Sequence, residues 1–251
     1  MTGTLVCDLD GVVYLGEQEI PGSGAALRRL HEAGWHLVFC TNNATRTAAQ
    51  TAEKIHRTTG FVATADQVAT SAQAAATLVS PDDSVFVLGG QGLNEAVEQV
   101  AQVTSDWRRA TAVVVGLDPG LSYERLSGAV LAVGAGARVV ASNHDPTYPT
   151  PEGRRPGAGA LVAAVVHATG VHPVVAGKPN EPMRRLLASR TQGETWIVGD
   201  RDDTDLAMGR AEGWKTIRVA TGIRDVGEAA PDLAVSDLAA AADHLLAYRT
   251  E

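Results

Sequence analysis

The chain is 251 residues long, 45% hydrophobic and 20% charged, with a formal net charge of −8. That length can bury a sizeable core in one or two domains, and the acidic balance argues against a nucleic-acid-binding surface, which needs clustered Lys and Arg. No run approaches the ~20 apolar residues of a membrane span, and no basic N-terminal region precedes the first apolar run, so neither a span nor a signal peptide is expected.

The first predicted element is a buried strand through Leu5-Val6-Cys7, ending in Asp8 and Asp10 with Gly11 directly after. Carboxylates at a buried strand end are costly unless paired, hydrogen-bonded or bound to a cation. In open α/β sheets that end is also where sites form. A helix is predicted over 24–33, then a strand over 35–40 that leads into Thr41-Asn42-Asn43, then a helix over 47–57. Further strands are predicted at 84–88, 112–115 and 138–141, with a helix at 122–133. Residues 143–153 are rich in Pro and polar groups and read as a functional loop, ahead of a helix at 159–169. The run 173–176 leads into Gly177-Lys178-Pro179, followed by a helix at 181–190. The run 195–198 leads into Gly199-Asp200-Arg201-Asp202-Asp203-Thr204-Asp205, and a last helix is predicted at 238–248. Strands alternating with helices from end to end predict a parallel α/β fold.

The spacing divides the chain. Asp10 to Thr41 is 31 residues and Lys178 to Asp200 is 22, each enough for one helix and one strand. Thr41 to Lys178 is 137 residues, too many for one crossover and with strands of its own. A core of 1–80 and 177–251 with a smaller α/β domain inserted at 81–176 is therefore expected. Lys54, Lys178 and Lys215 are the only lysines, which singles out Lys178 directly after an apolar run. Cys7 and Cys40 have no metal-ligand spacing and read as reduced, buried strand residues of a cytoplasmic protein.

An acidic pair, hydroxyl and amide donors, a lysine and a second acidic cluster, in that order, resemble the four motifs of the haloacid dehalogenase-like superfamily. D-x-D-G-V-x-Y, T-N-N and G-K-P together are similar to its NagD-like, para-nitrophenylphosphatase-like branch. The resemblance implies a Rossmann-like parallel core and a C2-type cap, a lid over the site, formed by the insertion. It implies that Asp8 is the nucleophile that attacks phosphorus and that Asp10 acts as acid, then base. Thr41, the Asn42 amide and Lys178 would hold the transferring phosphoryl group. A hard divalent cation, Mg2+, is implied, with ligands from Asp8, the Asp10 carbonyl and Asp200, and with Asp205 as either a further ligand or a group that orients the ligands. Gly11 suits the tight turn after the nucleophile.

Asp202 and Asp203 read as exposed loop charges. Thr41 and Asn42 could instead cap the following helix, and Asn43 and Arg46 either face substrate or serve that helix start. Asn143, His144, Asp145 and Tyr148 are the candidate substrate contacts of the inserted domain. The expected activity is Mg-dependent hydrolysis of a small phosphomonoester (a sugar, glycerol, glycolate or nucleotide phosphate) through an aspartyl-phosphate. No nucleic acid or membrane partner is expected, and a homodimer through the cap is possible. Two rivals stand beside this reading. Cys40 and Arg46 match the C-x5-R spacing of cysteine-dependent phosphatases, and a receiver-type or catalytically dead binding module would use a similar set of acids, Thr and Lys.

Overall fold

The computed structural model describes residues 3–150, 152–222 and 230–248. Six parallel strands form the first sheet, in the order Leu233–Val235, Lys215–Val219, Thr195–Gly199, Thr4–Asp8, His36–Thr41, Val68–Thr70. Thr4–Asp8 lies in the middle and is buried along its whole length, which is why it reads as a continuous apolar run rather than an alternation. Its alternate side chains serve opposite faces. Leu5 and Cys7 pack with Leu27, Ile55 and Leu245, whereas Val6 packs with Met183, Leu187 and Met208.

The crossover helices follow local signals. Ala48–Thr59 starts at Thr47, whose hydroxyl accepts from Gln50 N while Gln50 Oε1 accepts from Thr47 N, a reciprocal cap. Thr41 and Asn42 therefore do not cap this helix. Asn43 Oδ1 accepts from both Thr45 N and Thr45 Oγ1, which shapes the turn before it, and Arg46 pairs with Glu17.

A second sheet of five parallel strands is formed by Val174–Val175, Arg138–Ala141, Ala112–Val115, Ser84–Leu88 and Gln102–Val103. The run at 173–176 supplies an edge strand of this second sheet, paired to Val140 and Ala141. One expectation changes here. The segment at 143–153 is not wholly a loop: Thr147–Thr150 pairs antiparallel with Gly153–Pro156. A two-stranded ribbon has only edges, so it tolerates the prolines that argued against a strand.

The two sheets share one apolar seam. Val85, Leu93, Val114 and Val140 belong to the same cluster as Val6, Val38 and Met183. At its rim Gly92 N donates to Thr45 O at 3.0 Å, and a Cβ on Gly92 would collide with the Arg46 backbone. Near the return crossing, Gly177 N donates to Ser142 O at 2.8 Å. The strand ends bearing Asp8 and Thr41 thus face residues that follow strand Arg138–Ala141.

Candidate active site

Register fixes the first part of the site. Asp8 pairs with Cys40, and Cys7 with Val198, so Asp8, Thr41 and Asp200 emerge at one edge of the sheet. Gly11 takes φ +93°, a left-handed value that turns the chain back at once. A Cβ at Gly11 would also fall 2.6 Å from Asp200 Oδ2, so glycine is needed for space as well.

Lys178 enters from the crossing segment and is buried. Its Nζ lies 2.5 Å from Asp8 Oδ1 and 2.7 Å from Asp205 Oδ1, and it donates to Cys40 O at 3.3 Å. Burial alone would push the ammonium down, but the Asp205 and Asp8 carboxylates outweigh it and hold Lys178 well above its usual range. Burial and the Asp205 charge push Asp8 well up, against Lys178. One ammonium thus faces several clustered acids.

Asp8, Asp200 and Asp205 each place a carboxylate oxygen within 4.8 Å of the others, all three buried. Three buried carboxylates supply clustered hard oxygen donors, a set that fits a hard divalent cation. Asp10 is half-buried and lines the same cleft. Burial pushes its carboxyl up, with Lys54 the leading opposing charge.

Asn42 ties the site together. Its Oδ1 accepts from Lys178 N at 2.8 Å, and its Nδ2 donates to Asp145 Oδ2 at 3.1 Å. Its carbonyl accepts from Asn143 Nδ2 at 2.7 Å and Ser71 Oγ at 2.5 Å. Thr41 is buried, lines the cleft and accepts from Asn43 N through its hydroxyl oxygen.

The candidates of the inserted segment separate. Asn143, Asp145 and Tyr148 line the cleft, with Asn43 opposite. Asn143 is buried and its amide is spent on Asn42 O and Asp145 N. His144 is exposed and is not among the described residues that line the cleft, so it is corrected as a contact.

One further expectation is corrected. Asp202 is 2% exposed and its Oδ2 lies 3.1 Å from Arg218 Nη1, so it is a buried ion-pair partner rather than a loop charge. Asp203 is exposed and binds Arg201 through both oxygens, at 3.0 and 2.7 Å. Cys40 is 1% exposed, and burial pushes its thiol up to about 12. A thiol held protonated, away from the cleft lining, with Arg46 turned to Glu17, removes the cysteine mechanism.

Sequence reasoning gave no role to Arg201, which lines the cleft 3.8 Å from Asp145, although it adjoins Asp200. Lys54 was noted only as scarce. It is buried, 3.7 Å from the Tyr14 ring centroid and 3.9 Å from Glu17 Oε1. The helical face on which it lies offered the one signal.

Comparison with known proteins shows the family. Residues 5–101 match the family described as haloacid dehalogenase-like hydrolase, and residues 175–241 match one described as HAD-hydrolase-like. An acid sugar phosphatase of Staphylococcus saprophyticus is 38% identical over 224 residues, covering 86% of this chain and 85% of that protein. The chain belongs to the haloacid dehalogenase-like hydrolases. A glycerol phosphate phosphatase of Mycobacterium tuberculosis, solved with calcium, superposes with a TM-score of 0.85 at 36% identity, covering 94% of this chain and 73% of that one. A p-nitrophenyl phosphatase from Archaeoglobus fulgidus superposes at 0.86 with 28% identity, covering 96% and 98%. The chain falls in the NagD-like branch of these hydrolases and is a phosphatase of that type, so the binding-module reading is set aside. Among the described residues no helix is long and apolar enough to cross a membrane.

Proposed function

We propose that the protein is a Mg-dependent phosphatase that hydrolyses a small phosphomonoester through an aspartyl-phosphate on Asp8. The observation that carries this is the Lys178 ammonium set between Asp8 and Asp205 at 2.5 and 2.7 Å. It neutralises charge at the carboxylate that would attack phosphorus. Asp10, pushed up by burial, is suited to protonate the leaving alkoxide and then take a proton from the hydrolytic water. Thr41 and the Asn42 backbone amide would hold the phosphoryl oxygens. Asp8, Asp200, Asp205 and the Asp10 carbonyl would hold the divalent cation, which supplies charge neutralisation and orients the phosphate when bound.

The segment 81–176 acts in this reading as the C2-type cap. Asn43, Asp145 and Tyr148 would meet the alcohol part of the substrate, and closure would keep water from the acyl phosphate until the alcohol leaves. Sugar phosphates and glycerol phosphate are the first substrates to test, because relatives that span most of the chain carry those names. Two buried free cysteines accord with a reducing, cytoplasmic setting, and a homodimer through the cap remains part of the proposal. The test is a kcat/KM panel of phosphomonoesters with Mg2+ and with chelator. Hydrolysis confined to the metal-containing arm supports the reading; turnover of none, or equal turnover in chelator, refutes it.

A further inference from the structure

Seven residues of the inserted segment line the cleft, among them Leu117, Asn143, Asp145, Thr147 and Tyr148. Asp145 is the charged one among them. Asn143 is consumed by internal hydrogen bonds, so it offers the substrate little. Asp145 takes one hydrogen bond from Asn42 Nδ2 and lies 3.8 Å from Arg201. Arg201 is itself held by both oxygens of Asp203, so one guanidinium is shared by two carboxylates. The other cation lining the cleft, Lys178, is given to Asp8 and Asp205. Among the described residues the leaving-group side thus has a carboxylate acceptor and no unshared cation.

We infer that Asp145 is the charge filter of this cleft: it accepts hydrogen bonds from phosphomonoesters whose alcohol part is neutral and hydroxyl-bearing, and it rejects those whose alcohol part carries a carboxylate or a second phosphate. This rests on the phosphatase reading and narrows its substrate class. A hydroxyl donor meets an acceptor already half-buried and oriented by Asn42, which makes the bond charge-assisted. An anionic alcohol part meets like charge in a confined space, which disfavours its binding. Burial pushes the Asp145 carboxyl up, but the Arg201 guanidinium and the Asn42 amide pull against that rise.

Glycerol 3-phosphate and 3-phosphoglycerate share one skeleton and differ by a hydroxymethyl against a carboxylate. The wild-type enzyme with Mg2+ is expected to favour glycerol 3-phosphate in kcat/KM by at least about tenfold. Asp145→Asn keeps an oxygen for Asn42 and removes the charge, and it is expected to narrow that ratio by about tenfold, mainly through gain on 3-phosphoglycerate. A wild-type ratio near one, or a ratio unchanged in Asp145→Asn, overturns the filter. The wild-type ratio needs no variant, so misfolding of Asp145→Asn does not shield the proposal. Hydrolysis of p-nitrophenyl phosphate by the wild type separates the two failures. With it present, a flat ratio sinks the filter alone; with it absent, the phosphatase reading falls and the filter with it.

Discussion

Lys178 Nζ and Asp8 Oδ1 are 2.5 Å apart although 170 residues separate them in sequence. The same ammonium also contacts Asp205 Oδ1 at 2.7 Å. Lys178→Ala is therefore expected to lower kcat/KM by ~10²–10³, the usual worth of one preorganised charge at a developing oxyanion. Lys178→Arg should recover only part of this, because a planar fork does not fit a point-charge site. Steady-state kinetics on p-nitrophenyl phosphate check both, and near-parental activity in Lys178→Ala would contradict the assignment.

Asp200 tests the cation site. Asp200→Ala removes one of three clustered carboxylates, so Mg2+ affinity is expected to fall by about tenfold or more and turnover to drop sharply. Titration calorimetry with Mg2+ reads the affinity independently of activity. Unchanged affinity in the variant would place the cation elsewhere.

The loop residues Asn143 and His144 are expected to behave in opposite ways. Asn143 is 4% exposed with both ends of its amide bonded, so Asn143→Ala should cost ~1–3 kcal/mol, chiefly by taking the acceptor from Asp145 N, since Asn42 O keeps Ser71 Oγ. His144 is exposed, and His144→Ala should stay within about 0.5 kcal/mol. Urea midpoints of the two variants decide this, and equal stability would contradict the placement of Asn143.

Asp232 gives a pH signature. Thr216 Oγ1 and Thr216 N donate to Asp232 Oδ2 at 2.7 and 2.8 Å, and these bonds hold its carboxyl below the usual carboxylate range. A carboxyl lower in the folded than in the unfolded chain adds stability above the unfolded value. That stability is lost as pH falls from about 4 through the folded value. Asp232→Asn should therefore be less stable at pH 7, by less than ~1 kcal/mol because the group is exposed. The gap to the parent should close in acid. Thermal unfolding at pH 7 and pH 3 measures it, and a gap that widens in acid would reverse the sign.

The sheet that bears Asp8 was legible because its buried strands are short apolar runs cut by polar motifs, and the order of those motifs survives folding. What escaped the sequence depends on partners far along the chain. Asp202 looks like a loop acid until Arg218, sixteen residues on, comes within 3.1 Å. The hairpin at 147–156 was hidden by Pro149 and Pro156, which a ribbon of edges tolerates. At the site, Asp8, Thr41, Lys178 and Asp205 were named from their motifs. Arg201 was passed over because its neighbours in sequence are all acids, and its approach to Asp145 depends on how the inserted segment folds back.

Cys40 offers a control for the nucleophile. With its thiol buried and pushed up to about 12, Cys40→Ser should retain most activity, and loss of turnover in a folded Cys40→Ser protein would revive the cysteine rival.

The most direct measurement is mass spectrometry of enzyme quenched in acid during turnover with Mg2+. The account predicts the mass of one phosphoryl group on the peptide that contains Asp8, labile to alkali, and absent from a folded but inactive Asp8→Asn protein. A phosphoryl group found on another residue, or a well-folded Asp8→Asn protein that still turns over, would contradict it.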